Sequence, residues 1–134
     1  MIQTPSLPDQ KTIFVVDDDP AALTFVGHVL ADPGYNVLKW KSGAEALQQS
    51  RAFKGEISLL LSDFQMPGMS GVELATAMTA ERPQLRVLLM SGFPAGMLVL
   101  NEGWHFLAKP FVASQLMALV SGLVSPDKPT RFAA

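Results

Sequence analysis

Five short apolar runs punctuate the chain: TIFVV at 12–16, YNVLKW at 35–40, ISLLLS at 57–62, RVLLM at 86–90 and HFLA at 105–108. Several are apolar throughout instead of alternating, as expected of strands in a sheet covered on both faces. Helical signatures lie between and after them. Asp19 can cap a helix that carries Pro20 in its first turn and ends near Asp32, Pro33 and Gly34. Ser42 with Glu45 forms a capping pattern, and Ser70 with Glu73 repeats it ahead of an apolar stripe of Val72, Leu74, Ala75 and Met78 that Pro83 stops. After Pro94 only AGMLVLNEG is left for a fourth helix, which is predicted to be short, and ASQLMALVSGLV supplies the last. Five βα units in succession predict a (βα)5 α/β fold with a parallel sheet, helices on both faces and right-handed crossovers.

Composition agrees with a layered interior. Of 134 residues, 49% are hydrophobic and 16% charged, against about 25% charged in an ordinary domain. The length suits one domain, predicted over residues 12–125 between flexible tails at 1–11 and 126–134, where prolines interrupt any helix. The longest apolar run is Leu116 to Val120, far short of the roughly 18 residues that span a bilayer. MIQTPSLPDQK has no apolar stretch of the kind a signal peptide needs, so the expected location is cytoplasmic, without membrane insertion. The absence of cysteine fits a reducing compartment and excludes disulfides and thiolate chemistry. A net charge of −2 with no Lys/Arg cluster argues against direct nucleic-acid binding.

In an open parallel sheet, ligands collect beyond the carboxyl ends of the strands. Asp17, Asp18 and Asp19 follow the first run, Asp63 the third, Ser91 the fourth, and Lys109 and Pro110 the fifth. The second run ends at Trp40, Lys41 and Ser42, which places it to one side. Carboxylates gathered within about 4 to 6 Å raise one another's pKa unless a cation offsets them. Mg²⁺ suits Asp17, Asp18 and Asp63, because it takes hard oxygen ligands and is commonly held by one or two carboxylates plus a substrate phosphate. Lys109 and Ser91 bring a point charge and a hydroxyl donor for phosphoryl oxygens. An aspartate can itself be the nucleophile.

FVVDDDP, LLSDFQMPGMSG, LLMSG and FLAKPF stand in the order and at the spacing of receiver domains of two-component response regulators, which the chain resembles from about Thr12 to Val124. The resemblance implies a flavodoxin-like sheet of order 2-1-3-4-5. It implies Asp63 as phosphoacceptor, and Asp17 and Asp18 as the acidic pair. Mg²⁺ would be held by Asp18, Asp63 and the backbone carbonyl of Gln65. Ser91 and Lys109 would bind the phosphoryl group, and Phe106 would be the aromatic that changes rotamer with Ser91. Phe106 has no hydroxyl, so any switching there is by packing. Gln65 and Phe93 would tune phosphoryl lifetime, and the Lys109–Pro110 bond would be cis. The implied partners are a histidine kinase or histidine phosphotransfer protein and a downstream protein target.

Each motif also has a plainer reading. Asp63 alone is a good turn residue, Asp17 to Asp19 a helix start favoured by the dipole, Ser91-Gly92 a loop and Lys109 a solvated lysine. Their coincidence at four strand ends favours the site. His28 and His105 have no ligand or acid–base spacing, and the methionines read as packing residues. Two rival functions remain: a phosphorylation-independent receiver-like interaction domain, and a haloacid-dehalogenase-type Mg²⁺ phosphatase built on DDDPA. Against the phosphatase, Ala21 stands where Thr or Val is expected and no acidic pair follows Lys109 before Asp127. The nine residues after Ser125 leave no room for an output domain, so the sequence predicts a single-domain regulator or a receiver cut from a larger one.

Overall fold

The computed structural model describes residues 10–92 and 104–124. Five strands, β1 (Thr12–Val16), β2 (Asn36–Trp40), β3 (Leu59–Asp63), β4 (Arg86–Ser91) and β5 (Trp104–Ala108), form one parallel sheet in the order β2-β1-β3-β4-β5. Four helices are described: α1 (Pro20–Ala31), α2 (Gly43–Ala52), α3 (Gly71–Glu81) and α4 (Ala113–Val124). The expected short fourth helix, Phe93 and nearly all of both tails lie outside the described residues. Among the described residues, no helix is long and apolar enough to cross a membrane.

Alternation along each strand sorts the core into two layers. Ile13, Val15, Leu59, Leu61, Leu88, Met90 and Leu107 meet Leu23, Val26 and Leu30 of α1 and Leu116, Val120 and Val124 of α4. Phe14, Val16, Leu60, Val87 and Leu89 face the opposite way, onto Ala46 and Leu47 of α2 and Leu74, Ala75 and Met78 of α3. Both faces are covered, which is why β1 and β3 have no polar alternation until their carboxyl ends. β2, on the sheet edge, is only half-buried.

The helix starts follow the sequence closely. Asp19 accepts from the Ala21 amide at 3.1 Å, with Pro20 in the first turn. Ser70 and Glu73 make a reciprocal capping box at 3.1 and 2.9 Å. Ser42 caps α2 through the Glu45 amide, but the Glu45 carboxylate reaches past it to the Lys41 amide at 3.3 Å. The third strand begins later than the apolar run suggests and extends through Asp63, because its partner β4 continues and pairs Asp63 with Met90.

Helix α2 ends in a way its own sequence does not reveal. Arg82, just past α3, donates from Nε to Ser50 Oγ at 3.1 Å, from Nη2 to the Ser50 and Phe53 carbonyls at 2.8 and 3.0 Å, and from Nη1 to the Gly55 carbonyl at 2.9 Å. One guanidinium thus gathers the carbonyls around the end of α2, the Ser50 carbonyl also accepting from the Phe53 amide at 3.3 Å. The exposed Arg51–Glu81 pair joins the same two helices at 2.8 Å but is open to solvent screening. Arg82→Ala is expected to cost about 1–3 kcal/mol in urea denaturation, since it removes the donor to the half-buried Phe53 carbonyl and to the buried Ser50 hydroxyl. Arg82→Lys should recover only part of that, lacking the planar fork, while Arg51→Ala should leave the midpoint unchanged.

Candidate functional site

The rim at the carboxyl ends of β1, β3, β4 and β5 gathers the chain's chemistry. Asp17 directly follows β1 and is 1% exposed. Its amide donates to the Trp40 carbonyl at 3.2 Å, and its Oδ1 accepts from the Asp19 amide at 2.9 Å, so both sides of the residue are fixed. Asp63 is the last residue of β3, and the next amide, Phe64, donates to the Met90 carbonyl at 2.7 Å. One carboxylate oxygen from each of Asp17, Asp18 and Asp63 lies within 4.8 Å of the others.

Lys109 reaches into this cluster. Its Nζ donates to Asp63 Oδ1 at 2.7 Å and to Asp17 Oδ2 at 3.4 Å. The Lys109 amide donates to the Ser91 carbonyl at 2.7 Å, and the Lys109–Pro110 bond is cis, as expected. Asp63, Gln65, Ser91, Gly92 and Lys109 line an open cleft of about 420 Å³. Ser91 is buried at its floor, whereas Gln65 is exposed. Asp19 stays with its helix cap. Phe106 stands two strand positions before Ala108, the partner of Ser91; it is half-buried on the face it shares with Trp104 and does not line the cleft. His28 is exposed and His105 half-buried, away from the cluster.

Burial pushes the Asp17 carboxyl above its ordinary value of 3.8, and the Asp63 charge adds to the rise; the Asp19 amide and Lys109 oppose it without cancelling it. For Lys109, burial alone would lower the pKa, but the hydrogen bond to Asp63 and the charges of Asp17 and Asp63 outweigh it and hold the ammonium above 10.5. One ammonium facing three carboxylates leaves a formal deficit of two positive charges. The donors are hard oxygens and the deficit is that of a divalent cation, so the residues present fit Mg²⁺.

Two neighbours of Asp63 carry no sequence signal that marks them. Ser62, buried in β3, donates its hydroxyl to the Asp63 carbonyl at 2.9 Å. Gly71 opens α3 so close to the Asp63 carbonyl that a Cβ there would overlap it, and its amide donates to the Phe64 carbonyl at 3.0 Å. The only hint in the sequence is a glycine directly behind the Ser70 cap.

The family model for the response regulator receiver domain matches residues 13–121. The chain belongs to the receiver domain family. Among its relatives, the sensor kinase CckA of Brucella abortus is 30% identical over 88% of this chain. The response regulator receiver protein CpdR of the same organism is 36% identical over 63% of this chain and 69% of its own length. The crystal structure of the receiver domain from the hybrid histidine kinase CckA superposes with a TM-score of 0.75 at 30% identity, covering 84% of this chain and 98% of that one. The chain spans 13% of the length of the B. abortus sensor kinase. This chain is thus a receiver domain of two-component signalling, in the flavodoxin-like topology.

The receiver's acidic rim has a cost in the absence of a divalent ion. Asp17 binds its proton more tightly in the folded state, so its contribution to stability is present below 3.8 and is lost as pH rises through the raised folded value. Lys109 has its pKa raised too, but as a base it stabilises the fold until pH climbs past 10.5. Asp17→Asn keeps an acceptor for the Asp19 amide and removes the buried charge. In metal-free buffer it is expected to raise Tm at pH 7, with the difference from wild type vanishing as the pH is lowered to about 3.

Proposed function

We propose that Asp63 accepts a phosphoryl group from a phosphohistidine of a histidine kinase or phosphotransfer protein, and that the resulting change at the rim alters a surface read by a downstream protein target. The observation that carries this reading is the Lys109 ammonium held 2.7 Å from Asp63 Oδ1 within a ring of three carboxylates. Asp63 is the only carboxylate of the three that lines the cleft with Ser91 and Lys109. An Asp63 oxygen attacks phosphorus in line; a P–O bond forms, the P–N bond breaks, and the donor imidazole leaves with the electron pair and takes a proton. Lys109 turns from Asp63 to the incoming phosphoryl oxygens, and the Ser91 hydroxyl donates to another. Asp17, Asp18, Asp63 and the Gln65 carbonyl would hold Mg²⁺, which when bound would supply the positive charge that lets a phosphate approach this acidic rim. Phe106 would answer the movement of Ser91 by repacking alone.

The protein is a phosphoacceptor that catalyses only its own phosphorylation and dephosphorylation, with residues 12–125 as the acting unit in the cytoplasm. The surface beside the site supports a protein donor. α1 and α4 carry no Asp, Glu, Lys or Arg along their lengths. Phe25, 43% exposed, lies tilted against Phe111 with ring centroids 6.3 Å apart, and both line a cleft that reaches Lys109; Val112 nearby is 59% exposed. A largely apolar surface with aromatic anchors, charged only at Asp19 and Lys109 along the cleft, suits an apolar face of the donor.

Incubation with acetyl phosphate and Mg²⁺ should give one phosphoryl adduct by intact mass, absent in Asp63→Asn and in the presence of EDTA. No adduct on wild type, or a partner that binds wild type and Asp63→Asn equally well with and without phosphodonor, would favour an interaction domain independent of phosphorylation. Phe25→Glu should slow transfer from a histidine-phosphorylated donor protein by about tenfold or more and leave labelling by acetyl phosphate unchanged.

A further inference from the structure

The loop from Phe64 to Ser70 is held at its two ends and at Met66, while Gln65, Pro67 and Gly68 are exposed. At its start the Phe64 amide is bonded to Met90, and at its end the Gly71 amide returns to the Phe64 carbonyl, closing the loop on itself beside Asp63. Met66 is 9% exposed and anchors the middle of the loop in the core layer beneath α2 and α3. The Ser70–Glu73 capping box fixes the exit into α3. The remaining corner, Met69, rests on Gly43, the buried first residue of α2. A Cβ at Gly43 would lie 3.0 Å from Met69 Cβ, 3.1 Å from its Cγ and 3.2 Å from its carbonyl oxygen. The side-chain end could swing aside; the carbonyl belongs to the backbone and would have to move with the loop.

On its C-terminal side such a movement meets a tightly held neighbour. Two residues on, Gly71 is bonded to the Phe64 carbonyl and sits against the Asp63 carbonyl with no room for even a methyl group. A push on Met69 is therefore delivered to Asp63 and to the backbone at Phe64 and Gln65. We propose that Gly43 is a positioning residue for the acceptor: its missing Cβ lets the start of α2 bear directly on Met69, and that contact sets where Asp63 and the Gln65 carbonyl stand relative to Asp17 and Asp18. Gly43 touches neither metal nor phosphate. The inference rests on the assignment of Asp17, Asp18, Asp63 and Gln65 as the Mg²⁺ site.

Ion selectivity separates positioning from plain stability. Mg²⁺ demands nearly ideal octahedral ligands at about 2.0–2.1 Å, whereas Ca²⁺ accepts flexible shells at about 2.3–2.6 Å. A displacement of a few tenths of an ångström should penalise the first ion and spare the second. In the full chain, Gly43→Ala is expected to weaken Mg²⁺ binding by about tenfold in titration calorimetry while Ca²⁺ binding changes by less than about twofold. The metal-free variant should also show shifted amide resonances at Phe64 and Gly71. Met69→Ala, which relaxes the same contact from the loop side, should move the Mg²⁺ affinity in the same direction by a smaller factor, and decides the matter if Gly43→Ala does not fold. Equal weakening of both ions, or a lowered Tm with unchanged Mg²⁺ affinity, would overturn the proposal. If wild type bound neither ion, the metal assignment would fall instead; the loop would then be judged by the amide resonances, and shifts confined to residues around 43 and 69 would refute the coupling.

Discussion

Parallel pairing sends every strand's carboxyl end to one rim, but only the register decides which residues meet there. Val16 pairs with Ser62, so that Asp17 and Asp63, each one residue further, arrive side by side. Asp63 pairs with Met90 and Ser91 with Ala108, which brings the hydroxyl and Lys109 into the same row. A slip of one residue along any ladder would turn its apolar side chains from one core layer to the other. The two buried layers thus lock the register, and the register assembles the site. Burial of leucines and placement of an acid are a single constraint.

The assembly opposes itself electrostatically. Asp17 is buried beside another carboxylate, and Lys109 offsets only part of the charge. Sites that await a charged ligand commonly give up stability in its absence. Lys109 is the internal counterion of the resting protein, and its ammonium holds one Asp63 oxygen at 2.7 Å.

Much of this was legible in the sequence. The strands announced themselves as short, largely apolar runs, and Asp19, Ser42 and Ser70 marked helix starts that the structure bears out. Asp17, Asp18, Asp63, Ser91 and Lys109 stood out because each follows an apolar run, and all meet on one rim. What stayed hidden depends on distant approach. Arg82 reads as an ordinary residue before a proline, since its partners lie 27 to 32 residues away along the chain. Gly43 and Gly71 carry no distinguishing mark, because a missing Cβ has meaning only when the atom it would strike is known. The end of β3 was misplaced by one residue for a related reason: Asp63 joins the ladder because β4 happens to extend beside it.

Both sides of the sheet are packed through apolar side chains, and one of them adds directional bonds between its helices. Arg82 and the Arg51–Glu81 pair bolt α2 to α3 with directional bonds that fix distance and angle. α1 and α4 meet through apolar side chains, whose attraction depends on area and hardly on direction. One layer is therefore a braced plate and the other a pair of lubricated rollers. Among the described residues no side-chain hydrogen bond or ion pair joins α1 to α4, so strain introduced at the rim is expected to relax more readily on that side.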